Sequence, residues 1–454
     1  MNNMVNQDLK LKVQFLKLKS AWEVWATEET LLARDAWVKG VRKPRDLLRE
    51  EERPKRDVSL ATLEREGLVE VLPSMTVREV SDLRKIPRDV DLIVIEDSGD
   101  WFAPDEILEG IAKLGKPIIA EWDKWGYAIH GRISKYRLRK FSKVKRYFTM
   151  GVKDLLTTLN ALRGLKKLKH MKVLYIGRFP SHSVFTSNGV TFEYIREKFG
   201  TTFIKLSLND YIKAIEGIKE DEVKYLTEEW RKKFSLLDGR GEVLEKYAKV
   251  YEALKRLLKE CEANAVTVDC AALPNIDYVP CLAFSLLIDE GIPCGCEADL
   301  PALLTMSMLM GISNSPALMG NLNENVTHSD IESNIVVVNH DVVPTSLSCP
   351  GCKVRLRDFH ATGKGLTPYV ELRSGVTVTL AGLHWDMDSL WASKGIIRWT
   401  EDTVHCRISI GVEVENARKL SKEAFGHHVV LVYGDHRESL AKLADLLDIS
   451  FYPL

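Results

Sequence analysis

The chain is 454 residues long, 45% hydrophobic and 28% charged, which is too long for a single core and ordinary in composition for a globular protein. Its 64 Lys and Arg balance its 64 Asp and Glu, so no global field recruits nucleic acid or an anionic membrane. No apolar run reaches the roughly 20 residues of a membrane span, and the opening MNNMVNQDLKLKVQFLKLKS has no apolar signal core, so a cytoplasmic protein is expected.

Residues 1–60 read as charged and helical, with Trp22, Trp25 and Trp37 as packing anchors or subunit contacts. From 68 onward short apolar strands alternate with helices. Val69–Leu72 is followed by a helix near 77–85, Asp91–Ile95 by a helix near 104–114, and then comes Pro117–Ala120. That alternation predicts a parallel sheet with helices on both faces. Ligands of such sheets sit at the carboxyl ends of the strands, which makes Asp97, Ser98, Glu121 and Trp122 positions to watch. The basic stretch 131–172, with Arg137, Arg139 and Lys140, reads as a solvated face, because no nucleic-acid motif accompanies it.

A second α/β unit opens at Lys172–Ile176 and runs through Gly177 and Arg178 into a Ser/His-rich loop, without GxGxxG or a Walker sequence. Helices are expected near 189–199, 208–218, 239–263 and 280–290, with a strand at Val266–Cys270 carrying Asp269. The apolar segment Leu300–Met310 reads as a buried helix. Beyond 335 the pattern is mostly strands with Gly-containing turns (335–340, 368–372, 375–381, 406–413), the mark of an antiparallel sheet or barrel, and Glu438–Leu447 closes as an amphipathic helix. Domains 1–170, 171–334 and 335–454 follow from these shifts.

Eight cysteines in such a chain do not suggest a disulfide framework. Cys294/Cys296 and Cys349/Cys352 offer four thiolates, but their separation is not that of a zinc ribbon, and small buried hydrophobes are the expected role. The chemistry is sought at Cys296-Glu297-Ala298-Asp299. Glu297 stands just before the buried helix, where its anion is favoured, and bonding to the helix start is the alternative role. His340 ends the strand Ile335–Val338, and His427-His428 precede another, Val429–Tyr433. A carboxylate and imidazoles at the ends of buried elements suit a divalent metal.

The C-terminal half resembles the L-fucose/L-arabinose isomerase superfamily, in particular its fucose isomerase-like branch. The pieces that carry the likeness are Cys296-Glu297-Ala298-Asp299 with Ala302–Met306, Val338-Asn339-His340 before Pro344, Gly363–Thr367, Cys406-Arg407, and Phe425–His428 with Tyr433-Gly434-Asp435. The resemblance implies two Rossmann-like α/β domains followed by a C-terminal antiparallel β-barrel-type domain. It implies an aldose–ketose isomerase for a pentose or deoxyhexose, working through an ene-diol with Mn²⁺ or another divalent ion such as Co²⁺ or Mg²⁺. It also implies a homo-oligomer, trimer or hexamer, with no nucleic-acid or membrane partner. Carried over, Glu297 is the first acid, a metal ligand and base; His428 is the C-terminal metal histidine and His340 the central one.

His427, Arg178 and Lys364 are the expected sugar contacts, with His360 beside them. One position departs from the pattern. Where the family places its second acid, this chain reads Met319-Gly320-Asn321. Asparagine can ligate a metal through its carbonyl oxygen but cannot move a proton. Either Asn321 serves only as a ligand and Glu324 supplies the second acid, or the site is that of a sugar-binding protein or a variant sugar-transforming enzyme.

Overall fold

A computed structural model describes residues 10–18, 64, 67–97, 104–121, 146–149, 152–182, 184, 187, 189–236, 240–404 and 406–454. The chain divides into two units, residues 1–163 and 164–454.

The first unit holds a five-stranded parallel sheet made of β1 (Leu11–Leu18), β2 (Val69–Val77), β3 (Leu92–Asp97), β4 (Ile118–Glu121) and β5 (Arg146–Thr149), in the order β2-β1-β3-β4-β5. Helix α1 (Asp105–Lys113) crosses between β3 and β4. Its Ile107, Leu108 and Ile111 pack into a core with Leu16, Leu18, Ile93, Ile95 and Ile118. The helical expectation for residues 1–60 fails at β1. Its LKVQFLKL buries Leu11, Val13, Phe15, Leu16 and Leu18 between two neighbouring strands, and this nearly continuous apolar burial outweighs the charges around it. The helix expected near 77–85 is a 3-10 helix at Val80–Lys85, and β2 runs on through Pro73 to Val77. Trp22, Trp25, Trp37, Ser98, Trp122 and residues 131–145 of the basic stretch, with Arg137, Arg139 and Lys140, lie outside the described residues.

In the second unit, β6 (Lys172–Ile176), β7 (Thr202–Leu206), β9 (Ala265–Val268) and β10 (Cys294–Gly295) form a parallel sheet in the order β10-β9-β6-β7. Helices α2 (Phe192–Phe199), α3 (Leu208–Glu216), α4 (Leu244–Glu260) and α5 (Cys281–Asp289) lie at or close to the expected positions. Thr191 and Ser207 cap the first two by accepting backbone N–H groups. A further helix, Glu220–Lys233, not expected from the sequence, lies between α3 and α4 with Glu220, Asp221 and Glu222 in its first turn. Strand β8 (Ser235–Leu236) joins β13 (Arg355–Arg357) and β14 (Thr367–Tyr369) in a small separate sheet.

The remaining strands close into a six-stranded antiparallel barrel. In order they are β15 (Thr377–Leu383), β18 (His428–Tyr433), β11 (Leu318–Leu322), β12 (Ile335–His340), β17 (Ile408–Val414) and β16 (Ser389–Asp402), and pairing of β15 with β16 completes the ring. Strand β19 (Ser450–Pro453) adds to β16 in parallel. The barrel takes in β11, ahead of the 335 boundary drawn from the sequence. Closure removes the free edges that an open sheet of this length would expose. Helix α6 (Leu300–Ser313) is buried on every side from Leu300 to Ile312 and packs against β10 and against barrel strands β15 and β18. Among the described residues no helix is long and apolar enough to cross a membrane. Cys349 and Cys352, read from sequence as free thiols, are joined as a disulfide.

Candidate active site

The carboxyl ends of β9 and β10 face the barrel ends of β11 and β12 across a cavity of about 290 Å³. Its wall includes Cys270, Cys296, Glu297, Asn321, His340, Asp341, His360 and Cys406, with Leu273, Ile276, Val279 and Phe359 as an apolar side. Parallel sheets bind ligands at these strand ends, because loops diverge there and leave a crevice. The neighbouring strand ends approach even more closely. At φ +131° Gly177 leaves no room for a side chain, since a Cβ there would lie 2.5 Å from Asp269 Cβ. Buried Asp269 accepts a 2.5 Å bond from His182 Nδ1.

Two carboxylates separated by one residue divide the labour at the start of α6. Asp299, not Glu297, caps the helix: its Oδ1 accepts the Ala302 N–H at 2.9 Å. Its other oxygen lies 2.8 Å from His428 Nδ1, and both groups are fully buried. An ionised carboxylate only accepts, so His428 must donate through Nδ1, which leaves Nε2 as a bare lone pair. That Nε2 has no hydrogen-bond partner although it is buried. A carboxylate that fixes a histidine tautomer and aims the far nitrogen into a site is how metal ligands are oriented.

Glu297 is released from the helix start by its backbone. It and Ala298 adopt left-handed conformations, φ 55° and 54°, in which side chains of L-residues are strained by about 1–3 kcal/mol each. The turn lifts the Glu297 carboxylate into the cavity, 3.2 Å from His427 Nε2. That bond raises the pKa of His427 above its usual value. Donor atoms of Glu297, His427 and His428 all lie within 4.8 Å of one another.

The barrel supplies the rest. In register, Asn321 on β11 pairs with His428 on one side and Asn339 on the other. Asn321 Nδ2 points to Cys406 Sγ at 3.7 Å. Glu324 follows in the turn after β11. Its carboxylate bonds to the Cys406 side chain and its charge acts on His427, so it belongs to this neighbourhood. His340 lines the cavity with its ring 5.3 Å from that of His428. Its Nδ1 accepts the Val342 N–H at 3.0 Å, which puts the proton of the neutral ring on Nε2 and makes that nitrogen a donor. Burial first, then the neighbouring histidine, lowers its pKa to about 3, so it stays neutral.

Arg178 and Lys364 are not brought to the cavity. The Arg178 Nε donates to Pro180 O in the loop after β6, and Lys364 is exposed. Asp299 stands in the motif picked out from the sequence but was given no role there, and Asp341 was not singled out. The signal for Asp299 was a capping Asp before Leu300-Pro301. The thiols are not a zinc ribbon: Cys296 meets Cys270 at 3.3 Å, and Cys294 Sγ lies 3.4 Å from the Ile292 carbonyl.

Residues 188–313, which contain β9, β10, Glu297, Asp299 and all of α6, match the family model described as the L-arabinose isomerase central domain. Sulfoquinovose isomerase of Priestia aryabhattai is 26% identical over 309 residues, covering 65% of this chain and 67% of that protein. L-arabinose isomerase of Halalkalibacterium halodurans is 28% identical over 160 residues, covering 33% of this chain and 31% of that protein. The matches support the arabinose/fucose isomerase superfamily. The donor set fits a divalent ion: the Glu297 carboxylate and the His427 and His428 imidazoles lie within 4.8 Å of one another, His428 Nε2 is unpartnered, and Asn321 lines the adjoining cavity.

Proposed function

We propose that the chain is a divalent-metal-dependent aldose–ketose isomerase of the fucose isomerase-like branch, acting on a pentose or deoxyhexose. The sulfoquinovose and L-arabinose isomerase relatives support the reaction class. The observation that carries the metal dependence is the buried Asp299–His428 pair, which leaves Nε2 bare on a histidine that clusters with Glu297 and His427. Glu297, His428 Nε2 and the Asn321 carbonyl oxygen would hold Mn²⁺, or Co²⁺ or Mg²⁺ in its place. When bound, such an ion polarises the sugar carbonyl and acidifies the adjacent C–H.

The side chains do the rest. Glu297 takes the proton from C2 and returns it to C1 through the ene-diol. His427 holds a proton against that carboxylate and keeps it anionic between steps. Asn321 cannot exchange a proton, so Glu324 takes the part of the second acid. His340, with its proton on Nε2, donates to a sugar oxygen rather than ligating the ion. The apolar side formed by Leu273, Ile276, Val279 and Phe359 suits a C6 methyl or the missing C6 of a pentose. We read the two parallel sheets as Rossmann-like domains, and the assembly as a cytoplasmic homo-oligomer.

The test is a panel of neutral aldoses incubated with Mn²⁺-loaded protein in D₂O and read by NMR. The expected result is deuterium at C2 and ketose formation for a pentose or deoxyhexose, slowed at least about a hundredfold in Glu297→Gln. Saturable sugar binding without exchange would favour the reading that Asn321 invites, a binding protein with a degenerate isomerase site.

A further inference from the structure

A second set of donors stands in the cavity wall. Asp341 follows His340 at the end of β12, His360 lies in a 3-10 turn, and Cys406 precedes β17. We propose that these three residues form a second divalent-cation site, thiolate-containing and of zinc-type chemistry, separate from Glu297 and His428. The inference does not depend on the isomerase reading.

Their ligand atoms all lie within 4.8 Å of one another. Asp341 Oδ2 meets His360 Nε2, and Cys406 Sγ lies 3.8 Å from that same nitrogen. This detail decides between two chemistries. A nucleophilic relay needs the thiol on one ring nitrogen and the carboxylate on the other, so that the proton passes through the ring. Here both approach the same nitrogen, which excludes such a relay and leaves three metal-competent donors facing one point. Zinc bonds of about 2.0 Å to nitrogen and 2.3 Å to sulfur place tetrahedral donors about 3.5 Å apart, close to the 3.8 Å between Cys406 Sγ and His360 Nε2, while Asp341 Oδ2, in direct contact with that nitrogen, would draw back to admit the ion.

A second observation points the same way. Asp341 is 3% exposed and its Oδ1 has no hydrogen-bond partner. A carboxylate removed from water needs full pairing or a cation. Cys406 is also buried. The backbone is held for this purpose. His360, Ala361 and Cys406 all take left-handed conformations, φ 46°, 53° and 44°, and such strain persists only where the surroundings impose it. A Cys/His/Asp set selects Zn²⁺ or Co²⁺ over Mg²⁺, whereas a site with no thiolate is open to harder ions. Binding would send the thiol proton to water.

The experiment is a Co²⁺ titration of the metal-stripped full chain, with stoichiometry and the near-ultraviolet thiolate-to-cobalt absorption band as readouts. Wild type is expected to show the band, Zn²⁺ to abolish it by competition, and Cys406→Ser to lose it together with one equivalent of metal. His428→Asn is expected to keep the band, which separates this site from the first even if the first binds nothing. Asp341→Asn, isosteric and retaining the thiol, is expected to keep the band at an affinity weaker by roughly a hundredfold, and it serves if Cys406→Ser fails to fold. A folded wild type without the band would overturn the proposal. So would a band that survives Cys406→Ser and disappears in Cys270→Ser, since the Cys270–Cys296 pair would then be the ligand. Loss of the band in His428→Asn would mean one shared ion and would also overturn it.

Discussion

Glu297 and Asp299 are two residues apart and face different partners: one a histidine beside an open cavity, the other a helix terminus and a buried imidazole. Substituting Asp299→Asn separates the two duties of that residue. Asparagine caps helices about as well as aspartate, so the unfolding temperature should move little. Its amide nitrogen, however, cannot accept from His428 Nδ1, and the ring then turns its other tautomer toward the site with a proton on Nε2. The expected outcome is metal affinity lower by about 10–100-fold with a near-unchanged melting curve, measured by calorimetric titration and thermal unfolding. A large drop in stability with intact metal binding would contradict this assignment. At this scale the sequence showed the acid and the histidine but not what joins them. The partner of Asp299 is 129 residues away, and no local pattern announces it. Nor does the sequence announce the Val342 N–H that His340 Nδ1 accepts.

Strands β11 and β12 approach each other closely beside the site. A Cβ at Gly320 would lie 2.8 Å from both Asn339 O and Val338 Cγ1, so Gly320→Ala must push the two strands apart. Overpacking of this kind costs about 1–3 kcal/mol. Because Asn321 follows directly in register with His428, weaker metal binding is expected alongside the lower denaturation midpoint. At the far end of β18, burial lowers the pKa of His436, whose Nε2 donates to the Tyr433 carbonyl. As pH falls below about 6.5 the unfolded chain takes up that proton first, so stability present above this value is lost toward the folded pKa. His436→Gln should therefore show a smaller stability loss between pH 7 and 5 than wild type in parallel urea titrations. The same elements show what a sequence reveals. β12, β18 and α6 were legible because a run of β-branched or apolar residues has one reading when buried on all sides. β1 was missed because its alternation changes phase at Phe15-Leu16 within a charged segment, and the 14-residue β16 because its mixed Ser, Trp, Lys and Arg content has no clean period.

On the scale of the whole chain, the two parallel sheets share one winding. Counted in chain order within each, the first runs 2-1-3-4-5 and the second 4-3-1-2, which read from the other edge is 2-1-3-4, the same order without the fifth strand. In the second unit this order places β6, β9 and β10 side by side, so the loops after them form one rim. The barrel, docked through α6, brings β11, β12 and β18 to that rim, and the site exists only where the two meet. Alternation of strands and helices foretold the sheets, and glycine-punctuated strands foretold the barrel. The barrel's closure by β15 and β16 and its early start at β11 are matters of long-range pairing that composition does not encode. The most direct test of the account is to strip the protein with a chelator, restore Mn²⁺, and follow C2–H exchange of a substrate aldose in D₂O. The account predicts that exchange falls to background on stripping and returns with Mn²⁺ in wild type but not in His428→Asn. Exchange that ignores the chelator, or that returns fully in His428→Asn, would contradict it.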